Sequence, residues 1–271
     1  MAGPHLSNGV TLGVGDGATP EVFTTVTQLL GHVGPTVEKA TYDITALAAT
    51  TRTKLAGKKR VRTVQIDGML AASGGSPVNS NGTTISIAGG AIAMVTTISG
   101  AGEEAPVIDV TTLAGTTGEI LRGIEGGGVL DVECLLKPDD TSGQDVVISG
   151  IAASASQAIV ITLADSTTLT FSAFVTQYEP AVRLDDAIRL KLRLEVTGAV
   201  TWPTLATGQA ALITSLQAGT EKNYKITLTD SAGTITFSAY VISCFVTIGV
   251  DTPVGISFVL AIDGDATLSY A

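Results

Sequence analysis

Over Ala187–Val196 apolar and charged residues alternate without a break: Ile188, Leu190, Leu192, Leu194 and Val196 against Arg189, Lys191, Arg193 and Glu195. A period of two places every apolar side chain on one face of a strand and every charge on the other. The same apolar face recurs 66 positions later in Val254, Ile256, Phe258, Leu260 and Ile262, but there the opposite face is Gly255, Ser257, Val259 and Ala261. One strand position is therefore expected to face a charged surface in its first occurrence and a close-packed one in its second. Arg60–Leu70, with Val61, Val64 and Ile66 against Arg62, Gln65 and Asp67, and Val129–Leu136, with Asp131 and Glu133 on one face, read as further strands with one wet side.

The recurrence is general. Ile161–Val175 (ITLADSTTLTFSAFV) returns as Ile226–Val241 (ITLTDSAGTITFSAYV), each copy a strand, a tight turn and a strand. The extra residue of the second copy falls in the turn Asp230-Ser231-Ala232-Gly233, where a length change leaves the strand register intact. Upstream, Ser142–Ile151 aligns with Thr207–Leu216, and Asp185–Gly198 aligns with Asp251–Gly264. The front half is doubled as well: Asp43, Thr45, Leu47, Ala48, Thr50, Thr51, Leu55 and Gly57 have identical counterparts at Asp109, Thr111, Leu113, Ala114, Thr116, Thr117, Leu121 and Gly123. The chain reads as two related front blocks followed by two related back blocks, each close to 66 residues long.

Between these anchors, Gly9–Val14 is expected to be a short strand and Val22–Leu30 an apolar segment of period near two. Thr36–Gly57 and its copy Glu103–Gly123 lack a clean period and read as long loops, a length that in a compact domain signals function or disorder. Ala71–Gly82 (AASGGSPVNSNG) has linker composition, and ISIAGGAIAMVTTISG reads as paired strands around a Gly-Gly turn. Pro138-Asp139-Asp140-Thr141 supplies cap acceptors for a short helix within Ser142–Ala153, and Thr207–Gln217 is the stronger helix of the pair.

Composition narrows the function. Of 271 residues 45 % are hydrophobic and 15 % charged, and Gly, Thr, Val, Ile and Ala dominate, which favours strands and turns around a sizeable core. The mean hydropathy of +0.41 fits either a buried intersubunit surface or a Val/Ala-rich barrel interior. A net charge of −10 argues against a nucleic-acid binder, since phosphate contacts need Lys and Arg. The start MAGPHLSNG has no basic stretch before an apolar run, so no signal peptide is expected; Cys244–Ile262 is broken by Asp251-Thr252-Pro253 and alternates as strands do. Cys134 and Cys244 are expected to be buried thiols in a reducing cytoplasm. GVGDG lacks the strand, glycine loop and helix order of a phosphate site; there is no GxSxG, HExxH or CxxC, and His5 and His32 stand near no nucleophile or metal spacing. The chain is therefore read as no enzyme, with no catalytic, metal or cofactor site.

In GVTLGVGDGATPEVFTTV, VTQLLGHVGPTVEKATYDITAL, YKITLTDSAGTITFSAYV and the closing EVTGAVTW and AIDGDATL turns, the sequence resembles the major tail tube proteins of long-tailed (siphovirus-like) bacteriophages. The resemblance covers most of the chain. It implies a mainly β fold: tail-tube-type β-barrel or sandwich modules, each with one short helix. It further implies a structural virion protein that polymerises as stacked rings into the hollow tube conducting phage DNA into the host cell. The implied partners are copies of itself, a tape measure protein and tail tip or terminator proteins. DNA passes in transit without being bound, no membrane is involved, and the location is the virion tail, assembled in the bacterial host cytoplasm.

A family member has one front and one back half, whereas this chain has two of each. The halves can be nested or interleaved, the latter pairing the first block with the third and the second with the fourth. Because connections rarely cross, the nested order is expected, in which residues 1–82 plus 204–271 form an outer module with an inner module, 83–203, inserted into it. Three such chains would supply six modules to a trimeric, pseudo-hexameric ring. The loop carrying Asp43, Ile44, Thr45 and Leu47 looks like the segment that bridges subunits and rings, and its copy carries Asp109, Val110, Thr111, Leu113 and Arg122. The adjacent basic run, Lys58, Lys59 and Arg60 through Arg62, is expected to meet an acidic pair on a neighbour, Glu103-Glu104 or Asp185-Asp186. Asp67, Asp131 and Glu133 are the acidic candidates for lining the lumen. The alternative is a carbohydrate- or cell-surface-binding β-sandwich of a virion, which needs an exposed aromatic platform; aromatics are 4 % of the chain and Trp202 is the single tryptophan.

Overall fold

The computed structural model describes residues 10–35, 37–43, 54–61, 63–111, 119–152, 155–183, 186–229 and 233–269. The fold is mainly β. Its elements in order are β1 (Thr11–Gly15), β2 (Phe23–Thr25), β3 (Leu29–Val33), β4 (Val37–Asp43), β5 (Lys54–Val61), β6 (Thr63–Met69), β7 (Thr84–Ile87), β8 (Gly90–Ala91), β9 (Val95–Glu104), β10 (Val107–Asp109), β11 (Ile120–Arg122), β12 (Gly126–Gly127) and β13 (Val129–Leu135). The back half follows as α1 (Gln144–Gly150), β14 (Gln157–Thr162), β15 (Thr168–Ala181), β16 (Arg189–Thr201), α2 (Thr207–Ala218), β17 (Lys222–Thr227), β18 (Thr234–Gly249) and β19 (Gly255–Ser269).

Most strands join one antiparallel sheet, with β4–β5 and β10–β11 as separate hairpins. β1 pairs with β17, β6 lies between β3 and β19, and β19 pairs with β18. In the same way β7 pairs with β14, β13 lies between β9 and β16, and β16 pairs with β15. Residues 11–69 thus pair with 222–269, and residues 84–135 pair with 157–201. The two sets meet where β18 pairs with β9.

Irregularities of the backbone recur at the sequence repeat distance. β15 shifts register between Thr170 and Ser172 and between Val175 and Gln177, and β18 does so between Thr236 and Ser238 and between Val241 and Ser243. Three pairs of positive φ angles lie 66 residues apart: Gln28 (60°) and Met94 (57°), Gly34 (109°) and Gly100 (81°), Gly198 (73°) and Gly264 (79°). Bulges re-aim a strand, so sharing them gives the paired strands the same bend.

The core follows the alternation. Leu190, Leu192 and Leu194 are buried, as are their counterparts Ile256, Phe258 and Leu260. Burying each such side chain stabilises the fold by about 1.5–3 kcal/mol. On the other face, Arg189, Lys191, Arg193 and Glu195 are exposed, while Gly255, Ser257 and Val259 are half-buried and Ala261 is buried, as the two sequence patterns imply. The apolar window 244–262 spans the end of β18, a turn and the start of β19.

Two expectations need correction. The segment 36–57, read as a loop, begins and ends as paired strands, with Tyr42 opposite Leu55, and its copy holds the β10–β11 hairpin. The linker-like stretch 71–82 is built into the fold by isolated bridges from Ala72 to Leu205 and from Asn79 to Pro253. The short helix expected within Ser142–Ala153 is present as α1, Gln144–Gly150, with Asp140 as its acceptor: the carboxylate accepts from the N–H groups of Gly143 (3.0 Å), Gln144 (3.0 Å) and Ala93 (2.9 Å).

Candidate functional site

The wet face of the central strands carries the three acidic candidates. Asp131 and Glu133 alternate along β13 with buried Leu130, Val132 and Cys134, so both point away from the core. Asp67 alternates in the same way with Ile66 and Gly68 on β6. Across the β13–β16 pair, Glu133 meets Lys191 at 3.1 Å and Asp131 lies 3.9 Å from Arg193. Asp67 accepts from the side-chain amide of Gln65 at 3.1 Å and 3.2 Å. Gln177 and Glu179 of β15 complete a cleft of 390 Å³ over this charged grid. The face is therefore of mixed sign, each β13 carboxylate being matched by a β16 cation. Such exposed pairs set register more than they add stability.

The arm residues behave differently from one another. Ile44, Thr45, Leu47 and Leu113 lie outside the described residues. Asp43 ends β4, and Lys58, Lys59 and Arg60 lie within β5, where Arg60 is opposite Glu38. Asp109 closes β10 and its carboxylate accepts from Thr111 N–H at 3.0 Å; Thr111 in turn accepts from Glu119 N–H at 2.9 Å. Val110 is half-buried, and its N–H donates to Glu119 O.

The β10–β11 hairpin lies against elements of the other pairing set. Ile120 N–H donates to Asp263 of β19 at 3.1 Å. Arg122 donates to the carbonyl of Leu216, in the last turn of α2, at 2.6 Å and pairs with Glu125 at 3.0 Å. Leu216 O also accepts from the C-cap N–H of Gly219 at 3.1 Å, so Arg122 adds a charged donor at the negative end of the helix. Arg122 is thus an intrachain clamp. Burial raises the Glu125 carboxyl above the ordinary glutamate range, against the hydrogen bond from Arg122, and nearby Glu103 adds to the rise.

Glu103 is the residue that sequence reasoning misplaced. The expectation that it meets a neighbour's basic run fails, because it is 1 % exposed. Its carboxylate accepts from Val200 N–H (2.7 Å), Trp202 Nε1 (2.9 Å) and Gln217 Nε2 (3.2 Å). These donors come from the end of β16, the segment after it and α2. The same engagement holds the single tryptophan partly buried beside a cleft of 790 Å³, lined among others by Val200, Leu205, Ile213 and Glu125. No local sequence signal linked Trp202 to Glu103, which lie 99 positions apart. Cys134 and Cys244 are buried free thiols, and burial pushes Cys134 up to about 11.

Two strand edges complete the inventory. Among the described residues, β3 pairs with β6 alone, and the distal half of β15, beyond Phe174, pairs with β16 alone. Large apolar side chains stand exposed along them: Leu30 (68 %) and Val33 (67 %) on the first, Tyr178 (41 %) and Val182 (72 %) on and just past the second.

No family model matches the chain, and no curated protein matches it. Among solved structures, it is similar to a chain of the virion of a native gene transfer agent particle, with 18 % identity and a TM-score of 0.39, over 45 % of this chain and 96 % of that one. It is likewise similar to a chain of the tail of an empty gene transfer agent particle, with 18 % identity and a TM-score of 0.36, over 44 % of this chain and 94 % of that one. Likenesses this distant fix neither fold nor function.

Proposed function

We propose that this chain is a structural virion protein built to assemble with itself, and that it forms the tube of a phage-type tail. The observation that carries the reading is the β18–β9 pair. It joins strands of two like sets edge to edge in one sheet, so the chain already contains one subunit-like contact. On this reading residues 1–82 with 204–271 are an outer module and 83–203 an inner one. The strand pairings 11–69 with 222–269 and 84–135 with 157–201 support that nesting. Three chains then supply six modules to a ring, and stacked rings form a tube that conducts DNA. Tape measure and tail tip or terminator proteins are the further partners that the sequence resemblance implies.

The wet face bearing Asp67, Asp131 and Glu133 is proposed to line the lumen. Asp131 and Glu133 are matched by Arg193 and Lys191, and Asp67 faces the Gln65 amide, so the face offers a polyanion no concentrated positive field to adhere to, and the net charge of −10 per chain adds repulsion at longer range. The arms are proposed to bridge neighbours. Within the chain the β10–β11 arm already reaches β19 and α2, and the arm carrying Asp43, Ile44, Thr45, Leu47, Lys58, Lys59 and Arg60 would do the same to the next chain. The glycan-binding alternative is weakened because Trp202 is committed to Glu103.

The test is electron microscopy of the purified protein after incubation at high concentration. Hollow tubes or stacked rings are the expected result. Dispersed particles over the whole concentration range, both alone and on added tail tip complexes, would overturn the reading.

A further inference from the structure

We infer that a second copy of this chain completes the sheet of the first: the distal half of β15 pairs antiparallel with β3 of the neighbour, with Ala181 opposite Val33 and Val182 opposite His32. The inference rests on the chain's own internal contact and stands whether or not the assembly is a tail.

The chain displays this contact once, within itself. β18 is a long strand whose proximal half carries β17 on one edge; past the bulge at Val241–Ser243, the same edge carries β9. β15 is built alike. Its proximal half carries β14, it bulges at the corresponding Val175–Gln177, and past that point no described strand lies on the edge. β9 sits between β13 and β18, whereas β3, its counterpart, has β6 on one side and, among the described residues, no strand on the other. The correspondence between β9 and β3 is residue by residue: Ser99, Ile98 and Thr97 face Asp131, Val132 and Glu133, as Val33, His32 and Gly31 face Gln65, Ile66 and Asp67.

The internal contact supplies the register. Thr247, Ile248 and Gly249 lie opposite Ser99, Ile98 and Thr97. Moving both strands back by the repeat distance of 66 places Ala181, Val182 and Arg183 opposite Val33, His32 and Gly31. The internal contact is irregular at Gly100, between Val246 and Thr247, and Gly34 holds the same left-handed backbone at the matching position. Pro180 falls opposite Pro35, so that rung contributes no N–H donors.

Exposure gives independent support. Cys244 and Ile248, which the internal contact helps to cover, are 0 % and 5 % exposed. Their counterparts on the open edge, Tyr178 and Val182, are 41 % and 72 % exposed. An open strand edge flanked by large apolar side chains is a template for another strand. Within this chain β3 and β15 are not paired: they lie at opposite ends of the run β3-β6-β19-β18-β9-β13-β16-β15, which leaves both edges to a second copy. A contact between two different edges is heterologous, so each added chain presents the same open edge again until a ring closes.

The test is cross-linking in the full chain. V33C and A181C are introduced together, oxidised under conditions that leave buried Cys134 and Cys244 unreacted, and resolved without reductant. A ladder of disulfide-linked dimers and higher species is expected; single variants give no ladder, and a one-to-one mixture of the two single variants gives dimers only. A second variant, V182D, alters an exposed side chain and is expected to leave the far-UV circular dichroism and melting temperature unchanged while abolishing oligomers. Either of two results overturns the inference: oligomers or tubes that form without the cross-link, or oligomers that persist in V182D. Cross-linked rings that never stack would leave this contact standing and count against the tube reading alone.

Discussion

The indole N–H of Trp202 donates to the Glu103 carboxylate at 2.9 Å, joining the segment after β16 to β9 inside the fold. Val200 N–H and the Gln217 amide converge on the same carboxylate, so strand, connecting segment and helix α2 share one buried acceptor. A buried carboxylate is tolerable only when its oxygens are this well satisfied. Removing it strands three donors. Glu103→Ala is expected to lower stability by about 3–5 kcal/mol, whereas Trp202→Phe loses one hydrogen bond and costs about 1–3 kcal/mol. Urea titration followed by circular dichroism checks both; equal, sub-kilocalorie losses would contradict the arrangement.

Arg122 holds the β10–β11 hairpin to the end of α2 through Leu216 O and Glu125. Arg122→Ala should free the hairpin without unfolding the sheet. Hydrogen exchange is expected to rise over residues 107–122 and the last turn of α2, and to stay unchanged in β13 and β16. An unchanged hairpin would show that its strand pairing and the Ile120–Asp263 hydrogen bond hold it without Arg122.

Asp140 gives a pH dependence with a definite sign. Burial on its own would raise its pKa, but the N–H groups of Ala93, Gln144 and Gly143 outweigh burial and hold it below the ordinary aspartate value of 3.8. A folded-state pKa below the unfolded one contributes stability above the unfolded value, and that contribution is lost as pH falls through the folded value. Asp140→Asn is expected to cost about 1–2 kcal/mol near neutrality through the weakened cap. It should also flatten the loss of stability in acid, which melting curves between neutral pH and the acid limb would reveal.

Gly100 tests the bulge. Its φ is 81°, and an added Cβ would meet Val129 O at 2.1 Å. Gly100→Ala is expected to destabilise by about 2 kcal/mol or more, combining left-handed strain with a clash against backbone that cannot rotate away. By contrast, Ala at Gly198, where the φ is 73° and no atom lies within 4 Å, should cost only the strain, about 1 kcal/mol.

Much of the fold was legible because one face of most strands is buried and the other wet. Leu190, Leu192 and Leu194 announced β16, and the repeat then announced β19, whose other face is packed. The hairpins in 36–57 and 103–123 were not legible. Short ribbons away from the main core have no buried face to impose a period, so their Thr-rich sequences look like loops. Ala71–Gly82 has linker composition yet is ordered, because its partners, Leu205 and Pro253, lie far along the chain. Glu103 was misread for the same reason: in the sequence it is one of two adjacent acids, and the donors that satisfy it come from Val200, Trp202 and Gln217. The acids of the wet face were placed correctly on one side of their strands. The cations that match them come from β16, which the sequence did not show to be the neighbour of β13.

The most direct test of the central claim is the symmetry of the assembled ring, read from end-on class averages of the assembled protein. Two joined modules per chain predict six lobes related by a true threefold axis, with alternate lobes distinguishable, as the charged β16 face and the small-residue β19 face require. Six identical lobes, each the size of a whole chain, would contradict the claim that one chain supplies two neighbouring positions.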